Sequence, residues 1–162
     1  MKNRIIEESI KSLQQEGLRF SVDTLAEKLK ISKKTVYKYF PNKEALAYSI
    51  YKKYYCDLNE EIKAITQPGK TSVPKELLLC YFDSAKMVRK EIFNKYCLNS
   101  TVGNFALQHH ADIWNTIKPY VSSRMSDNEA EVYKLIIDGA FDKVIEHGVD
   151  SETVIEMLNR IV

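Results

Sequence analysis

The stretch from Ser32 to Phe40 constrains the N-terminal part of this chain more than any other feature. It reads SKKTVYKYF, so a serine suited to a helix N-cap is followed by lysines, a threonine and tyrosines. Val36 and Phe40 stand four positions apart and therefore share one side of a helix. Pro41 then ends the helix. The segment predicts a short helix with one buried edge and one cationic, exposed face.

Positive charge is concentrated around this segment. Between residues 28 and 43 the chain has six lysines and no acidic residue, a pattern that a polyphosphate surface would favour. Residues 1 to 55 carry 12 lysines and arginines against 6 acidic residues, whereas residues 56 to 162 carry 12 against 16. This asymmetry indicates a nucleic-acid-binding end and a second end with another role. A solvated surface helix is the alternative, and charge alone does not separate DNA from RNA or an acidic membrane.

Composition favours a soluble, helical chain. Of the 162 residues, 44% are hydrophobic, which is enough for a sizeable core. No apolar run approaches a membrane span, and the first twelve residues are too charged for a signal peptide, so we expect a cytoplasmic protein. Cys56, Cys80 and Cys97 include no close pair, which favours buried thiols over a disulfide framework or a zinc site. Without any alternating strand pattern, the predicted class is all-α.

Apolar spacing and capping signals divide the chain into helices. Three short helices and one long helix are predicted over residues 4–16, 22–29, 33–40 and 43–66. Their caps and turns are assigned to Gly17, Ser21, Lys30, Ser32, Asn42, Pro68 and Gly69. Further helices are predicted over residues 74–90, 91–98 and 104–118, the last of which ends at Pro119. A helix over 127–147, capped by Asp127 and ended by Gly148, precedes a last helix capped by Ser151.

The N-terminal pattern resembles the TetR-type transcriptional regulators. The matching positions cover roughly the first third of the chain: Gly17, Ser21, Leu25, Ala26, Ile31, Ser32, Val36, Tyr37, Tyr39, Phe40, Lys43, Glu44 and Leu46. Lys30 departs from the pattern, because it stands where the family usually has the turn glycine. A positive φ at this lysine would cost energy. Lys34 stands where the family often has a second glycine, and it adds a cation toward DNA.

The resemblance implies the architecture and the function. It implies a three-helix head, residues 1–48, whose fourth helix continues to about residue 66 as a connector, and a helical ligand-binding and dimerisation body, residues 49–162. Such a protein would bind a palindromic double-stranded DNA operator as a homodimer and act as a repressor released by a small molecule. An effector-independent DNA-binding or protein-interaction module of the same fold is the alternative. No phosphate loop, serine elbow or carboxylate pair favours an enzyme, and no cofactor is expected.

The resemblance also implies which residues touch DNA. Candidates for base edges lie at the exposed start of the third helix: Lys33, Lys34 and Thr35. Candidates for phosphates lie on its exposed flank or at a helix N-terminus: Ser21, Ser32, Tyr37, Lys38, Tyr39 and Lys43.

Two further sets of residues are predicted in the body. A pocket for an apolar or aromatic effector is assigned to Tyr81, Met87, Phe93, Tyr96, Phe105, His109 and Trp114, although ordinary core packing also explains such residues. The helix over 127–147 is apolar around half its circumference, which favours a four-helix dimer interface with the last helix. That interface is assigned to Val132, Ile136, Gly139, Ala140, Val154, Leu158 and Ile161. Adjacent histidines on a helix point about 100° apart, so no metal site is predicted at His109 and His110.

Overall fold

The structure, a computed structural model, describes residues 1–16, 19–69, 73–96, 98–147 and 149–160. These ranges are helical and contain no strand, which confirms the predicted all-α class. The helices are α1 (Lys2–Glu16), α2 (Val22–Leu29), α3 (Lys33–Tyr39), α4 (Lys43–Ile65), α5 (Val73–Met87), α6 (Lys90–Lys95), α7 (Ser100–Val121), α8 (Asp127–His147) and α9 (Ser151–Leu158). Within the described ranges, none of these helices combines the length and the apolar character needed to cross a membrane.

The first of two compact units comprises residues 1–59 and 86–109. In it α1 packs on α2, and α2 packs on α3. Ile5, Leu25, Val36 and Phe40 are at most 1% exposed and form the centre of this three-helix arrangement. Burying them removes apolar surface of all three helices from water. The predicted head of residues 1–48 lies within this unit, but its boundary with the body stays a prediction.

Buried tyrosines attach α4 to the second segment of the first unit. The hydroxyl of Tyr51 donates to the carbonyl oxygen of Met87 at 2.7 Å, and that of Tyr55 donates to the carbonyl oxygen of Ala106 at 3.0 Å. Burial raises the pKa of Tyr51 well above its usual range. Each hydroxyl therefore has a partner in place of water, so the aromatic rings are buried without leaving these donors unsatisfied.

The second compact unit comprises residues 60–85 and 110–162. Its fully buried side chains include Leu77, Ile117, Ile137 and Ile155. Within it α8 packs on α9, and the hydroxyl of Tyr133 donates to the carbonyl oxygen of Leu158 at 3.1 Å. The last described helix is therefore held to α8 by both apolar contact and a buried hydrogen bond.

The predicted end of α7 at Pro119 is wrong, because the helix runs through this residue to Val121. A proline in a helix removes the hydrogen bond to the carbonyl oxygen four residues earlier, here that of Asn115. Asn115 is exposed, so water can replace the missing donor at low cost. The predicted start is also late, because the side chain of Asn99 caps the helix by accepting from the N–H of Val102 at 2.9 Å.

Two predicted caps are replaced by the residue just before them. Ser126, not Asp127, caps α8, because the carboxylate of Glu129 accepts from the Ser126 N–H at 2.7 Å while the Ser126 hydroxyl accepts from the N–H of Glu129. Asp150, not Ser151, caps α9 and accepts from the N–H of Thr153 at 2.8 Å. At α8 the serine is favoured by its reciprocal hydrogen bonds with Glu129, and at α9 the carboxylate is the stronger acceptor because it also interacts with the helix dipole.

Other boundaries differ by a few residues. The helix predicted over 74–90 is Val73–Met87, and the one predicted over 91–98 is Lys90–Lys95. Arg89 has extended backbone at the start of α6 and so separates the two helices. Gly17 and Gly148, predicted to end α1 and α8, lie outside the described residues.

Candidate nucleic-acid interface

Three helices of the first unit begin with a capped N-terminus. Ser21 and Thr24 exchange hydrogen bonds of 3.1 Å between side chain and backbone N–H at the start of α2. The Ser32 hydroxyl accepts from the N–H of Thr35 at 3.0 Å, and the Asn42 carbonyl oxygen accepts from the N–H of Ala45 at 2.8 Å. The caps fix where each helix begins and satisfy one of its free N–H groups. The other N–H groups of each first turn remain suited to anions.

The helix α3 presents a polar face to solvent. Lys33, Lys34, Lys38 and Tyr39 are exposed, whereas Thr35 and Tyr37 are half-buried. Val36 and Phe40 are 0% and 1% exposed, and this opposite edge of α3 is packed against α2. The four-residue spacing thus produces the predicted helix with one apolar edge. Its remaining circumference is cationic and carries hydroxyl groups.

An ion pair that the sequence did not indicate connects α3 to α2. The Nζ of Lys33 lies 3.0 Å from the Asp23 carboxylate. The hydrogen bond to Asp23 raises the pKa of Lys33 above its ordinary value. Both side chains are well exposed, so the pair adds little stability, but it places a carboxylate beside a predicted base contact. Sequence spacing gave no signal because the two residues are ten positions apart on different helices.

The turn between α2 and α3 has left-handed backbone at Lys30. Its φ is 55° and its ψ is 44°, in the region that usually favours glycine. The N–H groups of Lys30 and Ile31 donate to carbonyl oxygens at the end of α2, both at 3.0 Å. This tight reversal brings α3 across α2, and it requires the positive φ that the sequence predicted to be costly for lysine.

Residues 5–50 contain this arrangement of caps, turn and exposed helix. They match the family model described as bacterial regulatory proteins, tetR family. This part of the chain is a TetR-family DNA-binding domain. In this family's terms α2 and α3 form the helix-turn-helix, and α3 is the recognition helix. No curated protein matches the chain at a significant level.

Solved structures extend the TetR-like fold over nearly the whole chain. A transcriptional regulator of the TetR/AcrR family from Thermobifida fusca aligns with a TM-score of 0.55 at 18% identity, covering 99% of this chain and 94% of that one. The multidrug binding protein EbrR, complexed with ethidium, aligns with a TM-score of 0.53 at 18% identity, covering 99% of this chain and 98% of the other. At this identity the likeness shows the fold alone: that of a TetR-family regulator with a helical C-terminal part.

The residues predicted for an effector pocket are divided between the two units. Met87, Phe93, Tyr96, Phe105 and His109 belong to the first unit, and the other two to the second. Phe105 and His109 have ring centroids 4.3 Å apart, and Met87 is 1% exposed. The first unit also has a cavity of about 620 Å³, and of the seven predicted residues Tyr96 is the one that lines it. Whether the remaining six contact a ligand stays a prediction.

Tyr81 and Trp114 lie in a polar cluster inside the second unit of this TetR-like fold. The Tyr81 hydroxyl donates to the Asp138 carboxylate at 3.0 Å, and Lys134 donates to the same carboxylate at 2.6 Å. The His110 ring stacks on Tyr81 at 4.6 Å, and burial lowers the pKa of His110 to about 4. Trp114 is 3% exposed, and its indole N–H has no acceptor among the described residues.

Residues predicted for the dimer interface differ in exposure. Val132 and Ile136 on α8 are 51% and 46% exposed. Gly139 is exposed too, and a Cβ added there would meet no atom within 4 Å. Leu158 is buried inside its own protomer, and Ile161 lies outside the described residues. The sequence prediction omitted Leu135 and Met157, which are 72% and 62% exposed, although helical periodicity places Leu135 one turn from both Val132 and Gly139.

Proposed function

We propose that this TetR-family chain is a cytoplasmic transcriptional repressor. In this proposal it binds a palindromic operator as a homodimer and is released by a small-molecule effector. The observation that carries the DNA-binding part is the exposed face of α3, on which three lysines, Lys33, Lys34 and Lys38, lie without an acidic residue in the same helix. A short helix with this charge fits the major groove, where cations meet both phosphates and guanine edges.

The proposed contacts follow from position on the head. Lys33, Lys34 and Thr35 lie in the first turn of α3 and are assigned to base edges. The assignment to phosphates uses side chains on the flank of α3 and at three helix N-termini: Ser21, Ser32, Tyr37, Lys38, Tyr39 and Lys43.

A homodimer is supported by the apolar surface of α8 and α9. Val132, Leu135 and Ile136 on α8 and Met157 on α9 are all more than 45% exposed, and so many exposed large apolar side chains on two packed helices are unusual on a monomer. Two copies related by a two-fold axis would cover this surface and place two heads on successive half-sites. For the effector, support comes from the shared fold with EbrR, which was solved with ethidium, an aromatic molecule.

Three variants test the DNA contacts, using a duplex selected by the protein from a random library. Lys34→Ala should change the preferred base at one position of each half-site. Lys43→Ala should weaken binding to all sequences alike and reduce the slope of log K against log salt by about one. Tyr37→Phe should also weaken binding uniformly, without changing that slope.

Lys52→Ala is the matched control. It removes an exposed lysine more than two turns further along α4, so it should leave both base preference and salt slope near those of the unmodified protein. Small, equal losses from all four variants would refute the assignment of contacts. Failure to select any duplex sequence would refute the repressor proposal itself.

A further inference from the structure

The cavity of about 620 Å³ in the first unit has the size of a small-molecule site. Every residue that lines it belongs to residues 1–59 or 86–109, so it lies within one compact unit. Its inner wall consists of buried apolar side chains from four parts of this unit, including Phe20, Leu46, Ile50 and Ile92. Such a wall favours an apolar or aromatic ligand, because the ligand's surface would leave water on entering.

Two tyrosines complete the wall, and both hydroxyls are already occupied. Tyr96 donates to the carbonyl oxygen of Phe20 at 2.9 Å, and Tyr51 donates to the carbonyl oxygen of Met87 at 2.7 Å. The rings of Phe20 and Tyr96 meet edge to face, with centroids 5.9 Å apart. These contacts hold the residue after α6 against the loop before α2. The tyrosines therefore offer a ligand their rings rather than their hydroxyl groups.

The charged residues around the cavity favour an anion. Lys33 and Asp23 neutralise each other at 3.0 Å. Lys43, Lys95 and Glu44 also line the cavity, are exposed, and form no ion pair within the described part of the chain. Two unpaired ammonium groups against one carboxylate leave a net positive charge at an otherwise apolar site.

The rim of the cavity includes four of the proposed DNA contacts: Ser21, Lys33, Tyr37 and Lys43. Ser21 begins α2, Tyr37 lies on α3 and Lys43 begins α4, so the opening lies beside the groups that would meet phosphates. A ligand bound to these polar atoms would occupy the place of the DNA backbone.

We infer that this cavity binds a small aromatic or apolar molecule with one anionic group, and that ligand and DNA exclude each other there directly. Of these two statements, only the competition with DNA rests on the proposed function. Direct exclusion differs from coupling through a conformational change in how far DNA can weaken ligand binding: with direct exclusion, the rise in the apparent Kd of the ligand has no upper limit. The apparent Kd of the ligand then rises in proportion to DNA concentration, whereas an allosteric effect levels off at a fixed factor, typically about 5- to 150-fold.

A fluorescent probe with the required chemistry tests ligand binding to the full chain. We use 8-anilinonaphthalene-1-sulfonate, an aromatic anion, and N-phenyl-1-naphthylamine, which lacks the sulfonate. The sulfonate should bind with one site per chain and at least about fivefold more tightly than the neutral analogue, as expected for one charge interaction at a partly exposed site. Equal binding of the two probes would refute the anionic part of the inference.

Two variants locate the site. Ala47 lines the cavity and is half-buried, so Ala47→Phe should fill part of the space and abolish probe binding while thermal unfolding stays near that of the unmodified protein. Lys95→Gln should weaken the sulfonate about fivefold but leave the neutral probe and DNA affinity unchanged. Lys90→Gln, at the other end of α6 and outside the cavity lining, is the control. Unchanged probe binding in Ala47→Phe would place the probe elsewhere, for example on α8, and would overturn the site.

The competition is measured by titrating the probe at increasing concentrations of selected duplex. A linear rise in apparent Kd beyond 150-fold supports direct exclusion, whereas a plateau or no change refutes it. If the protein binds no DNA at all, the proposed function fails, but the probe, Ala47→Phe and Lys95→Gln results still decide whether the cavity is an anion-preferring site.

Discussion

At the scale of single residues, the ion pair between Lys33 and Asp23 places opposing charges in the head. The Lys33 Nζ lies 3.0 Å from the carboxylate, so DNA that binds this ammonium would bring its own negative charge close to Asp23. The pair adds little to stability because both side chains are exposed. The pair instead affects the affinity for DNA, because the carboxylate of Asp23 repels the negatively charged DNA.

Replacing Asp23 with asparagine should therefore strengthen DNA binding. We expect affinity for duplex DNA at low salt to rise about threefold, consistent with the loss of one exposed charge interaction. Glu27→Gln removes the same charge from another exposed position of α2 that forms no ion pair within the described residues. Fluorescence anisotropy titrations of both variants measure the difference. An equal gain from the two would mean that net charge, and not release of Lys33, determines affinity.

The backbone conformation of Lys30 has an energetic cost. Its φ of 55° lies where a Cβ crowds the following carbonyl group, a penalty of about 1 kcal/mol. Lys30→Gly should remove that penalty and raise Tm by about 2–4 °C for a domain of this size. Lys30→Gln keeps the Cβ while losing the charge, so it should leave Tm nearly unchanged. A glycine variant no more stable than the glutamine variant would contradict the strain argument.

At the scale of helices, the packing of α5, α7 and α8 in the second unit buries a histidine. His110 on α7 stacks on Tyr81 and lies 2.9 Å from the Ser84 hydroxyl, both on α5, while Asp138 and Lys134 face it from α8. Its pKa is lowered from 6.5 to about 4, mainly by burial; Asp138 opposes this shift and Lys134 contributes to it. The folded state therefore favours neutral imidazole over imidazolium.

This shift makes stability depend on pH in a definite direction. The unfolded chain binds a proton at His110 near pH 6.5 and the folded chain only near pH 4, so stability falls as pH is lowered through that window. The complete loss from this group is about 3 kcal/mol. When the free energy of unfolding is measured with urea at pH 7 and at pH 4.5, the decrease should be smaller for His110→Gln than for the unmodified protein. His147→Gln, an exposed histidine at the end of α8, serves as control, and parallel curves for all three proteins would contradict the assignment.

At the scale of the whole molecule, the apolar surface of α8 is where we propose that two copies of the chain meet. A Cβ added at Gly139 would meet no atom of the rest of the described protomer within 4 Å. A larger residue there therefore has open space around its Cβ in its own protomer, and we expect it to interfere mainly with a second chain. Ile136, which is 46% exposed, can likewise be changed with little damage to the protomer core. The two positions separate dimerisation from folding more cleanly than Leu158, which is buried inside its own protomer.

Gly139→Leu and Ile136→Asp should each give folded monomers. Sedimentation at micromolar concentration measures the mass, and operator affinity should fall because a single head contacts one half-site. Leu107→Asp, which replaces an exposed apolar residue on α7, is the control and should stay dimeric. A monomeric unmodified protein, or a dimer in either α8 variant, would contradict the interface.

The sequence by itself determined the helices of the head and their polar and apolar faces. Caps such as Ser21 and Ser32 bond to N–H groups three residues away, and Val36 and Phe40 are one helical turn apart, so neighbours in the chain are sufficient to specify them. For Lys30 the family resemblance indicated only that this residue stands where the family usually has the turn glycine and that a positive φ there would cost energy; the structure shows that φ is positive.

Tertiary structure alone decided which distant residues meet. The Asp23 carboxylate reaches Lys33 because α2 and α3 pack together. Pro119 stays within α7 because the carbonyl group that loses its partner belongs to an exposed residue. The cavity exists because the loop before α2 and the end of α6 come together at Phe20 and Tyr96, 76 positions apart. A local sequence pattern does not predict these contacts. They join residues on different helices, and local periodicity does not specify which helices pack together.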